Sequence, residues 1–373
     1  MPFMSPRSYS RKGTRSAAVP LGLVMLAWLL LAAVPASAQV LKAAAADADV
    51  ATPQAPATRK KAADVEEPQI DAARLYAALV RVQAIAVPNA RTSESLGRER
   101  EGTGTVIGKD GLILTIGYLI AEADNIRVTD ANGRSHAARV LAYDHATGLG
   151  LVKTTLPLNI APVPLGSSAK LADREPVLIA GWGGIPDTAL AYVVSKRRFT
   201  GNWEYMVDEA IFTSPPTTGW SGAALVDRKG TIVGVGSLVV REATAGDPKL
   251  PGNMFVPIDA LKPILDDMVK TGARKGPPRP WLGVAADEVQ GRLIVARVSP
   301  DGPADAAGVK TGDIILGVGS EAVGSQADFY QKVWAQGHAG DTIALRVLQG
   351  VDIKDLSVKS IDRVDYFRPK TMY

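Results

Sequence analysis

Thr213 to Val226 reads TSPPTTGWSGAALV, and its centre, Gly219-Trp220-Ser221-Gly222, sets one serine inside a tight turn. Glycine accepts positive φ, so Gly219 and Gly222 let the backbone bend and aim consecutive N–H groups at one point. A serine held this way can serve as a nucleophile, with the N–H groups of Gly219, Trp220 and Ser221 as an oxyanion hole. The spacing alone is equally that of an ordinary turn, so the surrounding chain has to decide.

The flanks of this stretch are short β segments. Before it, GTGTVIG from Gly102, the turn Lys109-Asp110-Gly111 and LILTIG from Leu112 form a hairpin, and Asn132-Gly133 predicts a type I′ turn. Further strands fit Leu149–Lys153, Pro176–Ala180, Ala191–Lys196, Glu209–Thr213, Ala223–Val226 and Ile232–Leu238. Such spacing with Gly, Pro and Asn turns indicates a barrel or sandwich. A helix over Ile258–Thr271 closes the module, with Leu261, Ile264, Leu265, Met268 and Val269 as its apolar stripe and Pro263 in its first turn. Arg91 to Glu101 reads as a long, mobile polar loop.

The chain has 373 residues, enough for two domains. Arg7, Arg11, Lys12 and Arg15 precede an apolar run to Val34, and Ala36-Ser37-Ala38 supplies a small-x-small cleavage site. Residues 1–38 are therefore expected to be a cleaved signal peptide, leaving no membrane span; a retained anchor is the alternative. Residues 39–69, rich in Ala and Pro without apolar periodicity, read as a disordered linker. The 42 Lys+Arg less the four of the leader leave 38, against 38 Asp+Glu, so the mature chain is neutral and no electrostatic case for nucleic acid remains. With no cysteine there is no disulfide and no Cys-ligated metal, and nothing in the chain calls for a metal or cofactor.

Taken together, GTGTVIGKDGLILT, DHATGLGLVK and GWSGAALVDRKGTIVGV, in that order, resemble the HtrA/DegP family. The resemblance implies a mainly β fold, a trypsin-like double β-barrel over 70–272, followed by a Pro-rich linker over 273–280 and an α+β PDZ domain over 281–363, with a tail over 364–373. It also implies a serine endopeptidase triad, which this sequence lacks. Family members carry the catalytic histidine shortly after the LILT stretch, where Tyr118 stands here, and the aspartate in DxxTDLA, where Gly148 stands. Ser221 is retained, but the family's GNSGGP is GWSGAA, with Trp220 in the oxyanion turn. A serine hydroxyl needs a positioned base, and a phenol with a pKa near ~10 is a poor one.

The expectation is therefore an exported, periplasmic pseudoprotease that binds peptides or proteins as a scaffold or regulator of envelope protein quality control. The alternative is an active endopeptidase that uses Ser221 with another base. Of the three histidines, His145 lies three residues before Gly148 and is the candidate; His136 reads as a surface strand residue and His338 as part of a C-terminal turn. Trp281-Leu282-Gly283-Val284 matches the xΦGΦ carboxylate-binding loop of PDZ domains, which converges N–H groups on a peptide terminus. Phe329 and Val333, four apart on a helix, face ligand side chains or simply fill the core. Polypeptide C-termini or unfolded proteins are the expected partners, and the family implies a homotrimer or a mixed assembly with an active paralogue. The last residues, Lys370-Thr371-Met372-Tyr373, end as many PDZ ligands do and are a candidate occupant of the groove, a frayed tail being the plainer reading.

Overall fold

Residues 71–246 and 250–367 are described in the computed structural model. The expected signal peptide, the linker over 39–69 and the last six residues of the tail lie outside them. The described chain opens with a capped turn, α1 (Ala72–Ala78), where the Asp71 carboxylate accepts the Arg74 amide at 3.0 Å.

Six strands then close the first barrel: β1 (Leu79–Ala86), β2 (Glu99–Gly108), β3 (Leu112–Ile116), β4 (Ala123–Thr129), β5 (Ser135–Asp144) and β6 (Leu149–Thr154), in the spatial order β1-β2-β3-β6-β5-β4. In β1 the alternation places Val80, Val82, Ala84 and Ala86 inside, with Val82 opposite Gly102 on one side and Val128 on the other. The second barrel repeats the plan with β7 (Pro176–Ala180), β8 (Thr188–Gly201), β9 (Tyr205–Ser214), β10 (Ala224–Val226), β11 (Ile232–Val240) and β12 (Gly252–Pro257), ordered β10-β11-β12-β9-β8-β7. Closure leaves neither barrel a free edge. β3 is buried along its whole length, and the core continues from it into Val226, Ile232, Val235 and Val256 of the second barrel.

Three local expectations are corrected. The β4–β5 turn is not type I′: only Gly133 takes positive φ, and the Asp130 carboxylate accepts the Asn132 and Arg134 amides, which favours a type I turn with a glycine bulge. The loop at 91–101 is not a free polar loop. It holds a helical turn, α2 (Ser93–Leu96), the start of β2, and a buried Arg100 whose guanidinium donates to the carbonyls of Gly97, Tyr118 and Ala121. These carbonyls lie at the ends of α2 and of α3 (Gly117–Ile120), where backbone acceptors lack helical partners. The closing helix is shorter than its periodicity predicts. A 3-10 turn spans Ile258–Ala260, and the α-helix, α4 (Leu265–Thr271), starts only after Pro263, which lacks the N–H to continue a ladder. Val269 consequently faces solvent while Leu261 and Met268 are buried.

The C-terminal domain is a sheet of β13 (Val284–Val289), β14 (Arg292–Val298), β15 (Ile314–Val318), β16 (Glu321–Ala322), β17 (Thr342–Gln349) and β18 (Asp352–Lys359), with β16 paired only to β15. A turn of helix, α5 (Pro303–Ala306), and the longer α6 (Gln326–Ala335) cover it, and α7 (Arg363–Tyr366) follows. Ser325 caps α6 by accepting the Asp328 amide, and Phe329, Tyr330 and Val333 point into the core. The linker is anchored rather than loose: Arg274 donates to both oxygens of the buried Asp144 at 2.6 and 2.7 Å, and Arg279 stacks on Trp334.

Candidate functional site

The GWSG turn lies between β9 and β10, where Gly222 takes φ +73° and the Ser221 carbonyl accepts the Thr103 amide of β2. Gly219 is required for a different reason than conformation. A Cβ there would run into the carboxylate of Asp187, which lies against it from the segment before β8. Burial pushes the Asp187 carboxyl up. A carboxylate beside the turn opposes the build-up of negative charge that an oxyanion hole has to favour. Sequence reading missed Asp187, because only closure of the second barrel places it there. Trp220 adds an indole at the same mouth, with its ring 6.3 Å from that of Tyr118.

Tyr118 sits in α3, and its Oη lies 2.9 Å from Ser221 Oγ and 3.1 Å from the Ser237 carbonyl. A phenol hydroxyl has one hydrogen to donate. With that hydrogen given to the Ser237 carbonyl, Ser221 donates its own to Tyr118 Oη and meets a neutral oxygen, which is no proton acceptor. Burial raises the Tyr118 hydroxyl well above its ordinary value, so it stays protonated at any physiological pH. The tyrosine thus meets the Ser221 hydroxyl as a neutral phenol.

Gly148, at the N-terminal edge of β6, has φ +78°. A Cβ on it would come within 2.8 Å of the Tyr205 hydroxyl, which donates to the Thr147 carbonyl at 2.8 Å. Tyr205 therefore fills the space an aspartate would need, and Tyr143 fills the space beside Gly117, whose Cβ would strike its ring. Of the glycines at 117 and 148, the sequence marks only Gly148. The tyrosines that press on them come from β5 and β9 and have no motif.

The three histidines are engaged elsewhere. His145 packs its ring on Tyr143 at 3.9 Å and on Phe367 at 5.2 Å, and burial, with Arg363 nearby, pushes it down to about 3. An imidazole so reluctant to take a proton is a weak base. His136 Nε2 is bonded to Asp130 Oδ2 at 3.0 Å, and the His338 amide caps a C-terminal-domain loop through Asp341.

A cavity of about 530 Å³ separates this mouth from the C-terminal domain, lined by Tyr118, Trp220, Trp203, Glu204, Trp281 and Tyr366 among others. Across it the residues of the xΦGΦ loop come together as expected of one loop. Gly283 has φ +82°, and the N–H groups of Leu282, Gly283 and Val284 converge. They converge on a side chain of this same protein, Glu204, which sequence reading did not single out. Trp281 lies beside the loop, its ring 4.6 Å from that of Tyr366. Phe329 and Val333 are buried, at 0% and 1% exposure, and Met206 packs against their cluster from the barrel side.

The trypsin-like peptidase domain family matches residues 102–235, and the PDZ domain family matches residues 280–360. The protein of Hahella chejuensis named "Probable periplasmic serine endoprotease DegP-like" is 28% identical over 274 residues, covering 69% of this chain. The chloroplastic Protease Do-like 1 of Arabidopsis thaliana is 28% identical over 284 residues, again 69% of this chain. The chain spans only 56% and 62% of the length of these two relatives. Among solved structures, a variant of the HtrA-type protease AlgW with a tripeptide superposes with a TM-score of 0.50 at 20% identity, covering 80% of this chain and 96% of that one.

Proposed function

We propose that this chain, which joins a trypsin-like peptidase domain to one PDZ domain and is homologous to the DegP/HtrA serine proteases, has given up peptide hydrolysis. It acts instead as an exported peptide- or protein-binding scaffold or regulator in envelope protein quality control. The observation that carries this reading is the Tyr118 hydroxyl at 2.9 Å from Ser221 Oγ. It stands where a base must stand, while the space beside Gly148 is taken by Tyr205. Losing the base of such a triad costs on the order of 10⁶ in kcat, and the oxyanion turn that would retain a remnant lies beside Asp187 and Trp220.

Binding is assigned to the PDZ domain. Its Leu282–Val284 loop presents three converging N–H groups, a geometry suited to the terminal carboxylate of a polypeptide. The similar AlgW variant was solved with a tripeptide, which supports peptide binding here. Export to the periplasm is proposed from the basic-apolar N-terminal segment and from the periplasmic names of the bacterial relatives. A homotrimer, or a mixed assembly with an active paralogue, is proposed as the working form.

The test is casein hydrolysis by the mature protein together with labelling by a fluorophosphonate probe, each compared with Ser221→Ala. The expected result is no Ser221-dependent turnover and no Ser221-dependent label. Turnover that vanishes in the alanine variant would restore the endopeptidase reading.

A further inference from the structure

The β8–β9 hairpin turns through Asn202, Trp203 and Glu204 and ends inside the PDZ domain. Glu204 is a non-glycine residue at φ +55°, a conformation that needs support from its surroundings. The support comes from the PDZ side. Leu282 N–H donates to both carboxylate oxygens at 3.2 and 3.0 Å, and Gly283 and Val284 N–H donate to Oε1 at 2.6 and 2.9 Å. Glu204 is only 8% exposed. Just before it the hairpin backbone is held as a ligand would be: Tyr330 Oη of α6 donates to the Gly201 carbonyl at 2.8 Å, and Arg363 of α7 donates to the Trp203 carbonyl at 3.0 Å. Asn202 donates to Asp287 on β13 and accepts from Gln326 at the start of α6.

We propose that this hairpin is a built-in ligand of the PDZ domain: Glu204 fills the carboxylate nest of Leu282, Gly283 and Val284, so a polypeptide C-terminus is admitted only when it displaces the hairpin. The inference rests on the peptide-binding reading above and adds the regulation of that site. Two carboxylates cannot share one nest, because the three N–H groups are already committed and a second negative charge would be buried against the first. The apparent affinity for a peptide is then the intrinsic affinity reduced by the fraction of molecules whose hairpin is undocked. The next residue after Glu204 is Tyr205, whose ring packs on Gly148. Undocking therefore pulls on the same tyrosine that fills the vestigial aspartate position, and peptide capture loosens the old catalytic mouth.

The experiment uses the full mature chain and fluorescein-labelled hexapeptides ending in Val, Leu, Phe or Tyr, each with a free carboxylate or as the C-terminal amide. Wild type is compared with Glu204→Ala, and with Asn202→Cys/Asp287→Cys bridged by a short bis-maleimide or a disulfide in this cysteine-free background. Hydrogen exchange of the 282–284 amides is followed in parallel without peptide. The expected result is a gain of roughly tenfold or more for the free-carboxylate probes in Glu204→Ala and none for the amides. The disulfide-bridged protein should bind nothing until reduced, and the 282–284 amides should exchange faster in Glu204→Ala. Equal probe affinity in wild type, Glu204→Ala and the bridged protein overturns the proposal, as does unchanged exchange at 282–284. Faster exchange with no probe bound by any variant overturns the peptide-binding reading and leaves the plug in place.

Discussion

A hydroxyl proton has to leave Ser221 for any acyl transfer to begin, and the group waiting for it is a neutral phenol. Tyr118→Phe should therefore leave casein hydrolysis and fluorophosphonate labelling at the Ser221→Ala background; a fall from a measurable wild-type level would identify Tyr118 as a working base. Restoring the triad by substitution is expected to fail at its second member. Gly148→Asp places a side chain at φ +78° with its Cβ 2.8 Å from the Tyr205 hydroxyl. The variant should lose about 1–3 kcal/mol of stability, read as a lower denaturant midpoint. Adding Tyr205→Ala should recover the steric part of that loss and not the part due to φ. Of the two glycines at 117 and 148, only the second is visible in the sequence as a departure from a family pattern. What they make room for is not, because Tyr143 and Tyr205 arrive from other strands.

The β8–β9 hairpin is the element on which both sites lean, and its docking is coupled to protons. Burial raises the Glu204 carboxyl from its ordinary 4.5 to about 7, against the pull of the three N–H donors and of Arg363. The other polar groups facing the tip are the Tyr330 hydroxyl, Gln326, and Asp287 through Asn202. The docked hairpin holds more protons than the undocked one between these two values, so docking is fully favoured below about 4.5 and loses that advantage as pH rises through about 7. Wild type should accordingly bind a free-carboxylate hexapeptide more tightly at pH 8 than at pH 6, and Glu204→Ala should show no such difference; titration by fluorescence anisotropy reads both. The segment at 91–101 shows the opposite surprise. Its polarity reads as a mobile loop, yet Arg100 is buried and its guanidinium is spent on carbonyls at the ends of two helical turns.

Across the whole molecule the barrels and the PDZ domain are joined by more than the linker. Arg91 of the barrel domain donates to the Pro300 carbonyl and stacks on Tyr366, while Arg274 of the linker pairs with the buried Asp144 of β5. Burial works against the Asp144 carboxylate, but the Arg274 and Thr147 hydrogen bonds hold it below the usual range. Arg274→Ala leaves that charge uncompensated and should lower stability by about 2 kcal/mol, below the value for a fully buried pair because the guanidinium is one-third exposed. Guanidinium denaturation followed by tryptophan fluorescence measures it. The joined arrangement gives the proposed regulation its route, since the hairpin touches the carboxylate nest at Glu204 and Gly148 at Tyr205.

The sequence by itself determined the double barrel and the PDZ domain after it, and it marked Tyr118 and Gly148 as departures from the family pattern. Each of these is written locally, in strand alternation, turn residues and colinear motifs, and local patterns follow from backbone geometry. It also located the carboxylate loop, because xΦGΦ is contiguous. Only the tertiary structure decided what those places contain: a phenol on Ser221, Asp187 against Gly219, Tyr205 over Gly148, and Glu204 in the nest. Glu204 lies 78 residues before Leu282, and nothing in the spacing of an isolated glutamate at a hairpin tip says which backbone amides it will meet. That pairing exists because closure of the second barrel and docking of the next domain bring distant segments together. There, burial makes an unpaired carboxylate or an unfilled set of N–H groups too costly to leave alone.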